Sequence, residues 1–277
     1  MKEMDGQPTN TIEQKDANEF LNVLFDRLEN ALKPTPRKYL IDSIFGGNQV
    51  AQIVCKECGK AKDRIEKTLA LSVTIQEVKS LQESLAKLIE GEMISDFQCD
   101  GCNRKVDISK RNLLVETPNV LIVHLTRLVF NFESFQNDKV NTTLEFPTIL
   151  DLKPYSYYHV MRKEGLIKDE VPNEDEEEAP EPVVQDKEKG DEKEDEEPKP
   201  VIIEDDCFEY KLMGCNVHSG SANSGHYWSY INTERSDRGE CAGKWTKEDD
   251  ESWMEFNDSS VSDWNVAKLK EECFGEE

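Results

Sequence analysis

The chain has 277 residues, of which 36% are hydrophobic and 33% are charged, and its formal net charge is −24. This length allows one large domain or two small ones. Nucleic acids and anionic membranes both attract clustered lysine and arginine, so the acidic balance argues against either as a partner. No apolar run approaches the roughly 20 residues that span a bilayer, and the first six residues do not form a signal peptide.

Hydrophobic periodicity predicts a helix first and then mainly strands. Apolar residues recur at helical spacing over Asp16–Leu32, and Pro34 and Pro36 end that helix. The segment Ile41–Val54 predicts a turn that leads into a strand. The continuous apolar run Asn119–Phe130 predicts a strand that is covered on both faces. The other predictions are a helix over Ser80–Ile89 and strands over Leu69–Ile75, Val106–Val115, Leu144–Leu152, Phe208–Val217, His226–Asn232 and Trp253–Phe256.

Four of the eight cysteines form two pairs, each with two residues between its members. The first pair is Cys55 and Cys58, the second is Cys99 and Cys102, and 40 residues lie between the pairs. Two such knuckles can place four thiolates in a tetrahedron, which suits a structural Zn²⁺ and leaves no open position for catalysis. A redox or disulfide role is the alternative. The absence of a signal peptide favours a reducing intracellular compartment, in the cytoplasm or the nucleus.

Residues 164–206 carry much of the negative charge. They contain 20 acidic residues and 5 lysines, a net charge of −15 over 43 residues, and they contain no aromatic residue. Such a segment cannot bury enough apolar surface to offset the entropy lost when it becomes ordered. We therefore predict a disordered acidic insertion within a globular domain. It acts either as a solvated spacer or as an acidic docking site.

A pattern suited to catalysis follows this insertion. His226 comes directly after Gly225 at the start of a predicted strand that follows a Gly-, Ser- and Asn-rich loop, and Asn257 and Asp258 follow the last predicted strand. A carboxamide or carboxylate that accepts a hydrogen bond from one ring nitrogen fixes the tautomer of a histidine. The other ring nitrogen can then take the proton of a nucleophile.

Six motifs in order along the chain resemble those of the ubiquitin-specific proteases, papain-like cysteine peptidases that cleave ubiquitin from proteins or from itself. The resemblance covers the chain outside the acidic insertion. In chain order, the motifs are Gln14 with Asp16, Ala17, Glu19 and Phe20; Phe45 to Gly47 with the two cysteine pairs; Pro118 to Arg127; Phe146 to Tyr155; Tyr210 to Gly220 with Gly225 to Tyr227; and Trp253 to Val261.

The resemblance implies an α+β papain-like fold, with an antiparallel palm sheet and zinc-ribbon fingers that grip ubiquitin. It implies that His226 is the general base and that Asn257 orients it, with Asp258 as a substitute for Asn257 or a transition-state helper. Asp16 and Glu19 would meet the basic C-terminal tail of ubiquitin. The implied reaction is thiol-dependent hydrolysis of the bond after the C-terminal glycine of ubiquitin, with ubiquitinated proteins as substrates.

The motif of the family's nucleophile is missing. That cysteine belongs to a Gly- and Asn-rich box upstream of the first helix, but only thirteen residues precede Gln14 and none is a cysteine. We therefore expect a thumb that is mostly missing, either because an upstream segment carries the nucleophile or because the chain is a natural inactive relative. The four cysteines outside the pairs lie downstream and do not match the box: Cys207, Cys215, Cys241 and Cys273.

The sequence thus predicts one discontinuous catalytic domain. Residues 1–163 hold a partial thumb helix, the fingers and the first palm strands; residues 164–206 are the insertion; and residues 207–277 complete the palm. Three functions remain: a deubiquitinase whose nucleophile lies outside this chain, a catalytically inactive ubiquitin-binding module of the same fold, and a zinc-ribbon scaffold for nucleic acid or protein. The negative charge weakens the third.

Overall fold

The computed structural model describes residues 16–167, 208–222, 224–233 and 252–275. It has an α+β architecture in which all but one of the strand pairings described are antiparallel. Within these ranges, no helix is long and apolar enough to cross a membrane. The helices are α1 (Ala17–Leu32), α2 (Leu40–Phe45), α3 (Leu81–Glu90), α4 (Tyr157–Lys163) and α5 (Leu269–Cys273).

Helix α1 begins and ends where the sequence predicts. The Asp16 carboxylate accepts hydrogen bonds from the backbone N–H groups of Asn18 (2.7 Å) and Glu19 (3.0 Å), which the first turn of a helix cannot otherwise satisfy. Phe25 of α1 packs on Phe45 of α2, with ring centroids 4.9 Å apart. The sequence predicts a turn at the start of the segment Ile41–Val54, but the structure has helix α2 there.

Four antiparallel strands form the finger sheet, in the order β2-β1-β5-β4. Each of its two hairpins, β1–β2 and β4–β5, turns at one of the cysteine pairs, as the two-residue spacing predicts. Strand β5 has 13 residues. Near its start, the buried Ile108 packs beside the cysteines, and near its end, Leu113 and Leu114 are buried in the interior. This strand therefore connects the finger tip to the interior. The bounds are β1 (Gly47–Cys55), β2 (Ala61–Thr68), β4 (Glu92–Cys99) and β5 (Arg104–Glu116).

The largest buried cluster lies under α3. Strand β3 (Leu71–Thr74) pairs in parallel with β6 (Val123–Thr126). Strand β9 (Ile149–Asp151), before the acidic insertion, pairs with β10 (Glu209–Lys211), after it. The insertion therefore interrupts one packed unit. The buried members of the cluster are Leu71, Val73, Leu81, Leu85, Leu114, Leu150, Leu152 and Phe208.

Three of the predicted strands are broken or much shorter. The predicted strand Phe208–Val217 divides into β10 (Glu209–Lys211), which pairs with β9, and β11 (Gly214–Ser221), which belongs to another sheet. The run Asn119–Phe130 divides at Arg127 into β6 and a further strand, β7 (Leu128–Asn131), which pairs with β8 (Gln136–Lys139). Most of its side chains are only half-buried, so this run is not covered on both faces as predicted. The Arg127 guanidinium explains the break, because it turns inward and donates to the carbonyl groups of Val140 (3.0 Å) and Thr142 (2.9 Å). Within the predicted strand Leu144–Leu152, only β9 is extended.

The palm sheet consists of four antiparallel strands in the order β11-β12-β13-β14. The predicted Gly-, Ser- and Asn-rich loop is instead the tight turn of the β11–β12 hairpin. Trp253, Trp264 and Tyr230 pack beneath the sheet, and Glu272 of α5 accepts hydrogen bonds from the Tyr230 hydroxyl (2.6 Å) and the Trp264 indole (2.8 Å). The bounds are β11 (Gly214–Ser221), β12 (Ser224–Asn232), β13 (Trp253–Asn257) and β14 (Ser260–Asp263).

The start of the predicted acidic insertion is part of the folded domain. Glu164 caps the end of α4, and the chain turns through Ile167. Residues 168–206 lie outside the described residues, as do Gln14, Cys207 and Cys241. For residues 168–206, disorder therefore stays a prediction.

A polar network fastens the start of the insertion to the middle of the finger sheet. The Arg111 guanidinium donates to both carboxylate oxygens of Glu164, at 2.6 and 2.7 Å. It also donates to the buried Gln52 amide oxygen (2.7 Å), and the Gln52 amide nitrogen donates to Asp63 (3.0 Å). Because a bidentate guanidinium stabilises the charged form, Arg111 lowers the pKa of Glu164.

This pair gives a pH-dependent stability. A carboxyl group whose pKa is lowered on folding stabilises the fold above its unfolded pKa of about 4.5, and that contribution is lost as the pH falls through the folded pKa. We expect Glu164→Gln to lower the free energy of unfolding at pH 7 by about 1 kcal/mol or less, because the carboxylate is partly exposed. The deficit should shrink below pH 4.5. Urea unfolding across pH, with the exposed Glu77→Gln as the control, measures it; a deficit that persists at pH 3 contradicts the linkage.

Candidate active site and metal centre

The imidazole of His226 is held by the side chain of Asn257. The His226 Nε2 atom lies 2.7 Å from the Asn257 Oδ1 atom. The Asn257 amide nitrogen donates to a Glu255 carboxylate oxygen at 3.2 Å, which fixes which end of the amide faces the ring. Because Oδ1 can only accept, Nε2 must carry the proton. The Nδ1 atom therefore keeps its lone pair and can act as a base.

Strand register brings these two residues together. In the β12–β13 ladder, Ser229 faces Phe256, so Asn257 stands at the end of β13 opposite Trp228. His226 lies two residues before Trp228 and therefore shares its face of the sheet. A diagonal pair across two strands is within reach of side chains of this length. The His226 and Trp228 rings are also stacked, with centroids 5.9 Å apart.

Asp258 lies in a different place from the one a substitute for Asn257 would need. It is exposed in the turn between β13 and β14, with a φ of 51°. Aspartate tolerates this left-handed conformation better than most residues. The structure thus places Asn257, and not Asp258, against the imidazole.

The N-terminus of α1 lies beside the β11–β12 hairpin. The Asp16 carboxylate acts electrostatically on His218 and Tyr227, and the backbone of Ala17 is a hydrogen-bond partner of Tyr227. Burial raises the pKa of Tyr227, and the nearby Asp16 raises it further. The structure therefore brings Asp16 to the same corner as His226. Glu19 is exposed on the first turn of α1.

Gly225 allows the two strands of this hairpin to approach closely. A Cβ atom at Gly225 would lie 2.1 Å from the Ser219 carbonyl oxygen and 2.4 Å from the His218 Nε2 atom. The His218 ring packs on Tyr227, with centroids 4.4 Å apart, and burial lowers the pKa of His218. The His218 ring therefore packs across the hairpin against the paired strand.

Among the described residues, no cysteine is hydrogen-bonded to His226. Cys215 interacts with Cys273, which packs against the cluster beneath the palm sheet. The other described cysteines belong to the two pairs of the finger sheet. Within the described residues, the site thus contains an oriented base without a neighbouring thiol.

The four paired cysteines converge at the tip of the finger sheet. Their sulfur atoms all lie within 4.8 Å of one another, with 3.7 Å between Cys55 and Cys102 and 3.8 Å between Cys58 and Cys99. A tetrahedral site with Zn–S bonds of about 2.3 Å has S···S edges of about 3.8 Å. The backbone N–H groups of Cys58 and Cys102 point at Cys55 Sγ and Cys99 Sγ, each at 3.5 Å. The donor set therefore fits a closed tetrathiolate metal site.

The chain belongs to the ubiquitin carboxyl-terminal hydrolase family, whose sequence profile matches residues 2–273. It is 31% identical to mouse ubiquitin carboxyl-terminal hydrolase 9X (Mus musculus) over 278 residues, which cover 98% of this chain and 10% of that protein. It is also 31% identical to the probable ubiquitin carboxyl-terminal hydrolase FAF of Drosophila melanogaster, covering 98% of this chain and 9% of that protein. The chain thus spans about a tenth of the length of these relatives.

Solved structures support the same fold. The SAGA DUB module of Ubp8, Sgf11, Sus1 and Sgf73, bound to ubiquitin aldehyde, aligns with a TM-score of 0.64 at 24% identity, covering 95% of this chain and 48% of that chain. The module bound to monoubiquitin aligns with a TM-score of 0.63 at 22% identity, covering 94% and 47%. Together with the family match, this confirms the fold class that the sequence resemblance implies.

Glu255 was absent from the sequence prediction of the site. It precedes Asn257 by two residues on β13, so strand alternation places both side chains on one face. That alternation is the signal that could have identified it. Its effect on the site is indirect, because it contacts the Asn257 amide and not the imidazole.

The glycine before His226 provides a test of the hairpin geometry. We expect Gly225→Ala to push the two strands apart around His226, since the new methyl group would lie 2.1 Å from the Ser219 carbonyl oxygen, and backbone cannot move aside as the end of a flexible side chain can. Gly214→Ala is the control, because its Cβ would lie 3.3 Å from the nearest atom. Amide chemical shifts across 217–228 should change strongly for Gly225→Ala alone. Equal, small changes for both variants would contradict this geometry.

Proposed function

We propose that this chain is the palm and finger part of a thiol-dependent deubiquitinase, which hydrolyses the bond after the C-terminal glycine of ubiquitin. The observation that carries the proposal is the 2.7 Å contact between His226 Nε2 and Asn257 Oδ1, in a chain of the ubiquitin carboxyl-terminal hydrolase family. A histidine oriented in this way is the acid–base half of a Cys–His–Asn triad.

The proposed chemistry uses the free Nδ1 atom. His226 Nδ1 takes the proton of the cysteine thiol, and the thiolate attacks the carbonyl carbon of the terminal glycine. The imidazolium, stabilised by Asn257, then gives that proton to the leaving amine as the C–N bond breaks, which leaves a thioester. In the second half-reaction, Nδ1 takes a proton from water, the hydroxide attacks the thioester, and the thiolate leaves and is reprotonated.

The proposed nucleophile lies outside these 277 residues. None of the eight cysteines stands in the Gly- and Asn-rich box of the family, and no described cysteine contacts His226. The exposure of the His226 side chain is compatible with a thiol that approaches from another part of the protein. This chain alone is then expected to bind ubiquitin without cleaving it.

The proposed path of the ubiquitin tail passes the N-terminus of α1. Asp16 lies beside the hairpin of His226, and Glu19 is exposed on the first turn of α1, so their carboxylates can pair with basic residues of the tail. The solved relative that binds ubiquitin aldehyde supports ubiquitin as the partner. Asp258 as a transition-state helper stays a prediction.

We further propose that Cys55, Cys58, Cys99 and Cys102 hold a structural Zn²⁺. Four thiolates this close repel one another unless a cation lies between them, and soft sulfur donors in a tetrahedron suit zinc. The ion would join the two finger hairpins and would supply rigidity, not chemistry. Thiolate ligation also suits a reducing compartment inside the cell.

A ubiquitin probe with a C-terminal electrophile tests the catalytic proposal on the full-length protein that contains this chain. We expect covalent labelling, and we expect His226→Ala to slow it by at least about 100-fold because the general base is lost. Asn257→Ala should cause a smaller loss, since the base remains but is no longer oriented. His159→Ala, on the exposed face of α4, is the control.

Two outcomes would overturn this proposal. Labelling that survives His226→Ala would mean that another base acts, and tight ubiquitin binding by the full-length protein without any labelling would favour the inactive ubiquitin-binding module. Titration of the 277-residue chain with ubiquitin, followed by ubiquitin amide shifts, shows independently whether the palm and finger part binds.

The metal proposal has a separate test. We expect one zinc ion per chain by elemental analysis, and we expect Cys99→Ser to lose it because a buried ligand is removed. Proteolytic cleavage within residues 55–104 should then become faster. Cys273→Ser, outside the cluster, should retain its zinc. Full zinc occupancy in Cys99→Ser would refute the four-cysteine site.

A further inference from the structure

The strand that carries His226 extends beyond the rest of its sheet. Strand β13 pairs with β12 only over Ser229–Asn232, whereas β11 pairs with β12 as far as Ser224. The four residues Ser224–Tyr227 are therefore held on one side by β11 and have no β13 backbone on the other, because β13 ends at Asn257, opposite Trp228. An isolated two-stranded ribbon is marginally stable in water, so this overhang needs support from side chains.

Lys139 provides support from the β11 side. Its ammonium group donates to the carbonyl oxygens of His218 (2.9 Å) and Gly220 (3.1 Å). These two residues of β11 face Tyr227 and Gly225 of β12, which are the neighbours of His226 on either side. Because β11 is the edge strand of the palm sheet, Lys139 covers backbone acceptors that would otherwise lack a partner strand.

The position of Lys139 is itself fixed. It is the last residue of β8, and the next residue, Val140, donates its N–H to the Arg127 carbonyl (2.7 Å) and accepts from the Arg127 guanidinium (3.0 Å). Burial, together with the nearby positive charge of Arg127, lowers the pKa of Lys139. In the described part of the chain, no carboxylate forms an ion pair with Lys139. The carbonyl groups of His218 and Gly220 therefore hold its ammonium group in place.

The overhang is thus held from two sides. Asn257 binds the imidazole from the end of β13, and Lys139 binds the backbone of β11 across from it. If the β11 side moved, His226 would move with it, because the hairpin hydrogen bonds join the two strands residue by residue. A displacement of about 1 Å at a catalytic group costs on the order of 100-fold in rate.

We propose that Lys139 is a positioning residue of the catalytic centre, which holds the edge of the β11–β12 hairpin so that His226 stays in place against Asn257. The consequence for catalysis rests on the deubiquitinase function proposed above. The consequence for the hairpin does not, and it can be measured without any turnover.

The first experiment measures the hairpin itself, by amide hydrogen exchange of the full-length protein. Lys139→Met keeps the length of the side chain and removes the ammonium donors. We expect exchange across residues 217–228 to be about tenfold faster, while exchange in β13, β14 and the finger sheet stays unchanged. Lys163→Met, an exposed lysine on α4, is the matched control. Unchanged exchange in the hairpin, or an equal increase throughout the protein, would overturn the proposal.

The second experiment measures turnover of a ubiquitin C-terminal amide. For Lys139→Met, we expect kcat to fall by about tenfold to 100-fold because the general base is misplaced. We expect KM to stay nearly unchanged, because the substitution does not alter the binding of ubiquitin. Lys139→Arg, which restores a cationic donor, should recover part of kcat and of the protection against hydrogen exchange. If the Met variant does not fold, the Arg variant is compared with the unmodified protein instead. A rise in KM alone would refute the positioning role. Absence of turnover in the unmodified protein would refute the proposed deubiquitinase function, while the exchange experiment would still decide the role of Lys139.

Discussion

The candidate site depends on the register between β12 and β13. The residue Asn257 reaches the imidazole only because Ser229 faces Phe256, and a slip of one residue would turn every β12 side chain to the opposite face of the sheet. Burial sets this register. Tyr230 and Trp253 are both about 97% buried or more beneath the sheet, and either would be driven toward water by a slip. By strand alternation, His226 and Asn257 lie on the same face of the sheet as these two aromatic residues, so hydrophobic packing on this face fixes a polar contact further along it.

The same coupling between packing and chemistry extends along β5 to the fingers. At one end of this strand, Val106 and Ile108 pack against the buried cysteines, and at the other, Leu114 belongs to the cluster under α3. A disturbance at the cysteine cluster can therefore propagate through one continuous strand. The network of Arg111, Gln52 and Glu164 crosses that strand midway and holds α4 against it. These contacts explain how a finger sheet that projects from the interior keeps a defined orientation.

The sequence predicts the parts of the site whose determinants are local. Helical spacing predicts α1, the two-residue cysteine spacing predicts the knuckles, and the motif around His226 predicts its pairing with Asn257. The break between β6 and β7 is not predictable, because it depends on Arg127 turning inward toward carbonyl groups 13 and 15 residues away. Lys139 is hidden for the same reason: its partners lie 79 and 81 residues along the chain, and no periodicity marks it. Local patterns thus identify the reacting groups, whereas the groups that position them depend on tertiary contacts.

The surface around His226 is consistent with a cleft that has a second wall. His226 is exposed, and so are apolar side chains on α1 and on α2, which packs against α1: Phe20 of α1 is 51% exposed and Leu40 of α2 is 38% exposed. Phe20 follows Asp16 by one helical turn, so an apolar patch begins close to the corner that holds the imidazole. A base exposed to water gains little from its orientation, because water competes for Nδ1 and screens the ion pair that activates a thiol. The proposed thiol-bearing part would remove both effects by covering this surface, which gives a physical reason for an oriented but exposed histidine in a chain of this family.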